Sequence, residues 1–117
     1  MKKVVIADDS RVIREKIKLI LKNSNFEVIG EAADGKQAIS ICDLLEPDIL
    51  TLDFNMPKLD GVKVIEMLRE DGYEGKIIML TGVSDKKLIS KALVAGADSY
   101  LLKPFDKEDV IEELAKL

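Results

Sequence analysis

The stretch LTLDFNMPKLDG, Leu50 to Gly61, begins as an almost unbroken apolar run and stops on a carboxylate, Asp53. Phe54, Asn55, Met56 and Pro57 follow, and Gly61 closes a turn. A strand apolar at nearly every position is buried on both faces, as in a parallel sheet covered by helices. Pro57 fixes its own backbone, so a rigid loop follows the strand at once. Asp53 either ends its strand in solvent or sits at a site where its charge does chemistry.

Working outward, four more short apolar segments match the first: KVVIAD at 3–8, FEVIGEA at 26–32, KIIMLT at 76–81 and SYLLK at 99–103, beside PDILTLD at 47–53. Between them the apolar residues take helical spacing. Ile13, Ile17, Ile20 and Leu21 form one stripe, and Ala38, Ile41, Cys42 and Leu45 the next. Gly61, Val64, Ile65 and Leu68 form a third, Ile89, Ala92, Leu93 and Gly96 a fourth, and Val110, Ile111, Leu114 and Leu117 a fifth. Asp34 ahead of Gln37 and Asp106 ahead of Asp109 resemble helix N-caps, and Ser84 is placed to open the fourth helix. Asn25, Gly72 and Gly96 stand where helices should end. The order βαβαβαβαβα predicts an α/β fold with a doubly wound, five-stranded parallel sheet. The strand at 26–32 carries Glu27 and Glu31 and is therefore assigned to an edge. These units occupy residues 1–117, so a single domain is expected, with no repeat or linker.

The chain has 117 residues, 47% hydrophobic and 34% charged, the composition of a folded globular domain. No apolar run approaches the roughly 20 residues of a membrane span, and no signal peptide is recognisable, so a cytoplasmic protein without membrane contact is expected. A net charge of −4 argues against direct nucleic-acid binding. Cys42, the one cysteine, falls in a helical stripe and reads as a small core residue. There are no histidines, which removes the commonest general base and zinc ligand.

Ligands of an open parallel sheet bind beyond the carboxyl ends of its strands. Here the first strand ends in Asp8-Asp9, the third in Asp53, the fourth in Thr81-Gly82 and the fifth in Lys103-Pro104. Each has a plain structural role open to it: Asp9 or Ser10 as a cap, Thr81 as a strand residue, Lys103 as a surface lysine. Together they make a crevice with three carboxylates, a hydroxyl and an ammonium. Clustered carboxylates repel one another unless a cation lies among them, and an all-oxygen set suits Mg²⁺, or Mn²⁺. Such a set fits phosphoryl transfer, with a carboxylate as nucleophile. Asp53 stands alone at mid-sheet and is the better candidate for attack.

VVIADDSRVIR, DILTLDFNMPKLDG, IIMLTG and AGADSYLLKPF resemble the receiver domain of bacterial two-component response regulators, along the whole chain and in order. The nearest likeness is to the stand-alone, chemotaxis type. The resemblance implies a flavodoxin-like sheet of strand order 2-1-3-4-5. It implies Asp53 as phosphoacceptor and metal ligand, Asp9 as direct Mg²⁺ ligand, Asp8 acting through water, and the Asn55 backbone carbonyl completing the set. Thr81 would be the switch hydroxyl, Lys103 the phosphoryl-pairing lysine, Tyr100 the aromatic that rotates inward, and Lys103-Pro104 a cis peptide. Gly82 stands where the family most often has alanine, and Val83 where a polar residue is frequent. Gly82 bears on how tightly the two conformations are separated, and Val83, together with Asn55, on access of water to the phosphoryl group and so on the lifetime of the phosphorylated state.

The function implied is a signalling switch rather than an enzyme, limited to its own phosphorylation and dephosphorylation. It would take a phosphoryl group from a histidine kinase or phosphotransfer domain. It would then alter the face of the fourth helix, fifth strand and fifth helix to bind a downstream protein, as in chemotaxis. A phosphorelay intermediate and a receiver fragment of a longer regulator are the alternatives. A monomer is expected, with a phosphorylation-dependent dimer as the other state. A small Mg²⁺-dependent aspartyl phosphatase fits less well, because Asn55 stands where such an enzyme has its proton-donating acid. A flavodoxin-like cofactor binder would place a flavin phosphate against Asp8-Asp9, which repel it. A phosphorylation-independent receiver would lack site residues that are all present here.

Overall fold

A computed structural model describes residues 1–82 and 86–117. Five strands, β1 (Lys2–Ala7), β2 (Phe26–Ala32), β3 (Ile49–Asp53), β4 (Lys76–Thr81) and β5 (Ser99–Leu102), alternate with five helices. These are α1 (Arg11–Leu21), α2 (Gly35–Leu45), α3 (Gly61–Glu70), α4 (Lys86–Ala95) and α5 (Lys107–Ala115). All strand pairs are parallel, in the order β2-β1-β3-β4-β5. The strand carrying Glu27 and Glu31 is an edge strand, as its charges demand.

Alternate residues of the central strands feed two cores. Val5, Ala7, Leu50, Leu52, Ile77 and Met79 pack beneath α2, α3 and α4, against Ala38, Cys42, Val64, Ile65, Leu68 and Ala92. Val4, Ile6, Ile49, Ile78 and Leu80 point the other way and meet Ile17, Leu21, Val110 and Leu114 of α1 and α5. Burial pushes the Cys42 thiol up to about 12, so it stays protonated at neutral pH and serves as packing.

Two of the predicted caps are in place. The side chain of Asp34 accepts the Gln37 N–H, and Asp106 with Asp109 forms a reciprocal capping box. Ser10, rather than Asp9, caps α1, and Asp60 adds a cap on α3. Two expectations need correction. Asn23, with φ of 62°, takes the left-handed position after α1, while Asn25 instead uses its carbonyl to accept the Lys2 N–H at the start of β1. Leu93 is 41% exposed although it shares the stripe of Ala92, because α4 buries only its narrow Ala92 edge. Ser84 and Val83 lie outside the described residues.

Thr51, in the middle of β3, is 2% exposed and its hydroxyl has no partner among the described residues. A buried hydroxyl left unpaired costs about 1–3 kcal/mol. Thr51→Val keeps the shape and is expected to stabilise the fold by about 1 kcal/mol, read as a higher urea midpoint with an unchanged slope. A loss of stability would mean that the hydroxyl has a partner in solution.

Candidate functional site

Asp53 ends β3 and Thr81 ends β4, while Asp8 and Lys103 lie one residue beyond β1 and β5. The order of the strands therefore brings these four side-chain positions to one end of the sheet. The chain holds them there from several sides. The Asp8 N–H donates to the Ala32 carbonyl (3.0 Å), and Arg14 Nη1 donates to the Asp8 carbonyl (2.7 Å). Asp8 is fully buried, and its Oδ1 accepts the Ser10 N–H at 2.9 Å. The Lys103 N–H donates to the Thr81 carbonyl (2.8 Å), and the Lys103-Pro104 peptide is cis, as expected. Lys16 of α1 reaches across to donate to the Phe105 carbonyl at 2.6 Å, with its ammonium 4.7 Å from the Phe105 ring centre.

Lys103 Nζ lies 3.0 Å from Asp8 Oδ2 and 3.1 Å from Asp53 Oδ1. Asp8 points inward and Asp9 outward, yet Asp8, Asp9 and Asp53 each offer an oxygen within 4.8 Å of the others. Burial, and then the neighbouring Asp8 charge, raise the pKa of Asp53 above the ordinary carboxylate range. Lys103 and the Asn55 backbone N–H offset this only in part. The Lys103 ammonium loses some stability by burial, but its bonds to Asp8 and Asp53 outweigh that and raise its pKa. The cluster thus holds more negative charge than one lysine neutralises. Its donors are all hard oxygens, which fits a divalent cation such as Mg²⁺.

The loop after β3 is built as a frame. Phe54 and Met56 are buried and flank Asn55, which is exposed. The Phe54 N–H donates to the Leu80 carbonyl (2.9 Å), and the Gly61 N–H closes the loop on the Phe54 carbonyl (3.0 Å). A Cβ on Gly61 would stand 3.1 Å from Phe54 Cα, so this close approach requires glycine or a shifted loop. Asn55 is held at the rim by the residues on either side of it.

Thr81 is buried, and Tyr100 is 41% exposed on β5, so the two do not share an environment in this conformation. Among the described residues nothing lies within 4 Å of where a Gly82 Cβ would be, so packing does not impose glycine there. Arg14 and Lys16 went unnoticed in the sequence, since a basic residue on an amphipathic helix gives no sign that it will reach a carbonyl of another loop.

The response regulator receiver domain family matches residues 4–115. This chain belongs to that family. Chemotaxis protein CheY of Listeria monocytogenes is 36% identical over 116 residues, covering 99% of this chain and 98% of that protein. The transcriptional regulatory protein YdfI of Bacillus subtilis is 37% identical over 115 residues, but these span only 54% of its length. A solved CheX–CheY complex with beryllium fluoride and Mg²⁺ from Borrelia burgdorferi superposes with a TM-score of 0.94 at 29% identity. It covers 98% of this chain and 87% of that one. The receiver fold and its strand order are therefore shared, and receiver domains bind Mg²⁺ at an acidic pocket of this kind. Among the described residues, no helix of this receiver domain is long and apolar enough to cross a membrane.

Proposed function

We propose that this receiver domain is a phosphorylation-driven switch with Asp53 as its phosphoacceptor. The observation that carries this is the single ammonium, Lys103 Nζ, spanning the Asp8 and Asp53 carboxylates with Asp9 in the same cluster. A carboxylate oxygen of Asp53 attacks the phosphorus of a phosphohistidine presented by a histidine kinase or phosphotransfer domain. The P–O bond forms as the P–N bond breaks, and the imidazole nitrogen leaves with the electron pair. Lys103 pairs with the phosphoryl oxygens. Asp8, Asp9, Asp53 and the Asn55 carbonyl would hold Mg²⁺, which supplies charge neutralisation when bound. Water later attacks the acyl phosphate and restores Asp53. No other turnover is assigned to the chain, which acts in the cytoplasm as a switch and not as an enzyme.

The Thr81 hydroxyl is placed at the end of β4 to follow the new phosphoryl oxygens, opening room for Tyr100 to turn inward. That shifts an equilibrium of the α4–β5–α5 face, where Leu93, Tyr100 and Leu102 are all about 41–42% exposed. These apolar side chains suit a protein partner better than a nucleic acid. Beryllofluoride, a phosphoryl mimic, with Mg²⁺ is expected to move the ring resonances of Tyr100 to a buried environment, with no such change in Asp53→Asn. An exposed Tyr100 in the fully loaded protein would contradict the switch.

For the pathway we favour chemotaxis, on the several chemotaxis proteins that are 32–36% identical to the chain. Transcriptional regulators at similar identity support a second reading, the receiver of a longer regulator. A strain lacking the chain decides between them: lost chemotactic spreading with normal growth supports the first. Normal spreading with altered transcript levels supports the second.

A further inference from the structure

We infer that the corner between β2 and α2, Asp34-Gly35, is a positioning element for the Asn55 loop, although no residue of α2 belongs to the acidic cluster. This rests on the proposal that the Asn55 carbonyl is a metal ligand.

The loop after β3 leans on this corner with almost no clearance. A Cβ on Gly35 would lie 2.7 Å from Leu59 Cβ, 2.8 Å from Val64 Cγ2 and 2.9 Å from the Leu59 carbonyl oxygen. A flexible side chain can give way, but the Leu59 carbonyl moves only if the loop moves. On the same loop Lys58, held at φ of 75°, places Nζ 3.3 Å from Asp34 Oδ2. The corner itself is closed. Asp34 is buried and its Oδ1 accepts the Gln37 N–H (2.9 Å), while Gln37 Oε1 accepts the Ala33 N–H (2.8 Å).

Leu59 is four residues from Asn55, and the path between them is stiff. Pro57 fixes one backbone angle, and the Leu59 N–H donates back to the Pro57 carbonyl (2.9 Å). The far end is tied where Gly61 bonds Phe54. A displacement at Leu59 is therefore passed to Asn55 rather than absorbed. The Lys58–Asp34 pair is exposed on the lysine side and adds little energy. The steric contact at Gly35 sets the position.

Calorimetric titration of Mg²⁺ into the unphosphorylated protein, beside Mg²⁺ titration of acetyl-phosphate-driven phosphorylation, separates this role from simple support of the fold. Gly35→Ala is expected to raise both the Mg²⁺ dissociation constant and the Mg²⁺ concentration for half-maximal rate about tenfold, as loss of a support behind a metal ligand does. The plateau rate should stay within about twofold of wild type, because Asp53, Thr81 and Lys103 are untouched. Leu59→Gly, which removes the Cβ that faces Gly35 and so opens a gap instead of a clash, should raise the half-saturation at least about threefold. If Gly35→Ala does not fold, Leu59→Gly alone decides. Half-saturation within twofold of wild type in the folded variants, whatever their melting temperatures, overturns the inference and leaves the function proposed above intact. Wild type that takes no phosphoryl group overturns both.

Discussion

Asp53→Asn is expected to abolish phosphoryl uptake from acetyl phosphate and, at the same time, to make the metal-free protein more stable than wild type. The first effect follows from loss of the nucleophile, since an amide does not form the acyl phosphate. The second follows from charge. Burial and Asp8 raise the pKa of Asp53 in the folded protein, so the folded state holds its proton more tightly than the unfolded chain does. Stability contributed by this group therefore falls as pH rises from the ordinary value of 3.8, and the cost is complete once the pH has passed the folded value. Asparagine removes the charge and still offers Lys103 an acceptor. The gain should be largest above the folded value and shrink as pH is lowered toward 3.8, where wild-type Asp53 is itself becoming neutral. Mg²⁺ reverses the ranking. A cation bound only by the folded state adds about 2.7 kcal/mol at a hundred times its dissociation constant, and the variant should lose most of that gain. Thermal melts of both proteins, with and without Mg²⁺ and across pH, check each part. A variant less stable than wild type without metal would show that Asp53 is not under electrostatic strain.

Arg69→Ala is expected to be the costliest substitution outside the two cores. The Arg69 guanidinium sits at the end of the sheet opposite the acidic cluster and joins two loops, the one between α3 and β4 and the one between α4 and β5. Nε and Nη2 donate to the Gly96 carbonyl (3.1 and 2.8 Å), and Nη1 to the carbonyls of Tyr73 (2.7 Å) and Gly75 (2.9 Å). Nη2 also pairs with Asp98 Oδ2 at 3.1 Å, and the same carboxylate oxygen accepts the Ile77 N–H that begins the buried part of β4. The guanidinium lies 5.6 Å from the Tyr73 ring centre. Alanine leaves three carbonyls without this donor and takes the guanidinium from Asp98, which keeps the Ile77 N–H. With about 1–3 kcal/mol for each poorly resolvated group, discounted for the partial exposure of the site, the cost is about 3 kcal/mol. For a domain of this size that lowers the melting temperature by roughly 10 °C. Arg69→Lys should recover less than half, because one ammonium cannot serve three separated carbonyls. A loss below about 1 kcal/mol in urea would show that water replaces the guanidinium.

Arg69 also marks the limit of what the sequence discloses. The five strands, the buried character of the three central ones, the edge position of β2 and the gathering of Asp8, Asp9, Asp53 and Lys103 at one end all follow from local pattern. Period-two and period-3.6 spacing are written residue by residue, and the strand ends are read directly from where apolar runs stop on polar residues. Arg69, Lys16 and the Gly35–Leu59 contact depend on residues 27, 89 and 24 positions apart meeting in space. Nothing in their own neighbourhoods announces that. Asn23 and Glu46 take left-handed backbone angles that glycine takes more cheaply, so they escape a search for helix-ending glycines. Leu93 carries the spacing of a core residue and stays exposed, because spacing gives the face of a helix but not how deeply the helix settles.

The most direct test of the central claim is the mass of the intact protein after incubation with acetyl phosphate and Mg²⁺, followed by mapping of the modified residue. One alkali-labile phosphoryl group on Asp53, lost in Asp53→Asn, is the predicted result. No adduct with acetyl phosphate or phosphoramidate, or an adduct that persists in Asp53→Asn, would contradict it.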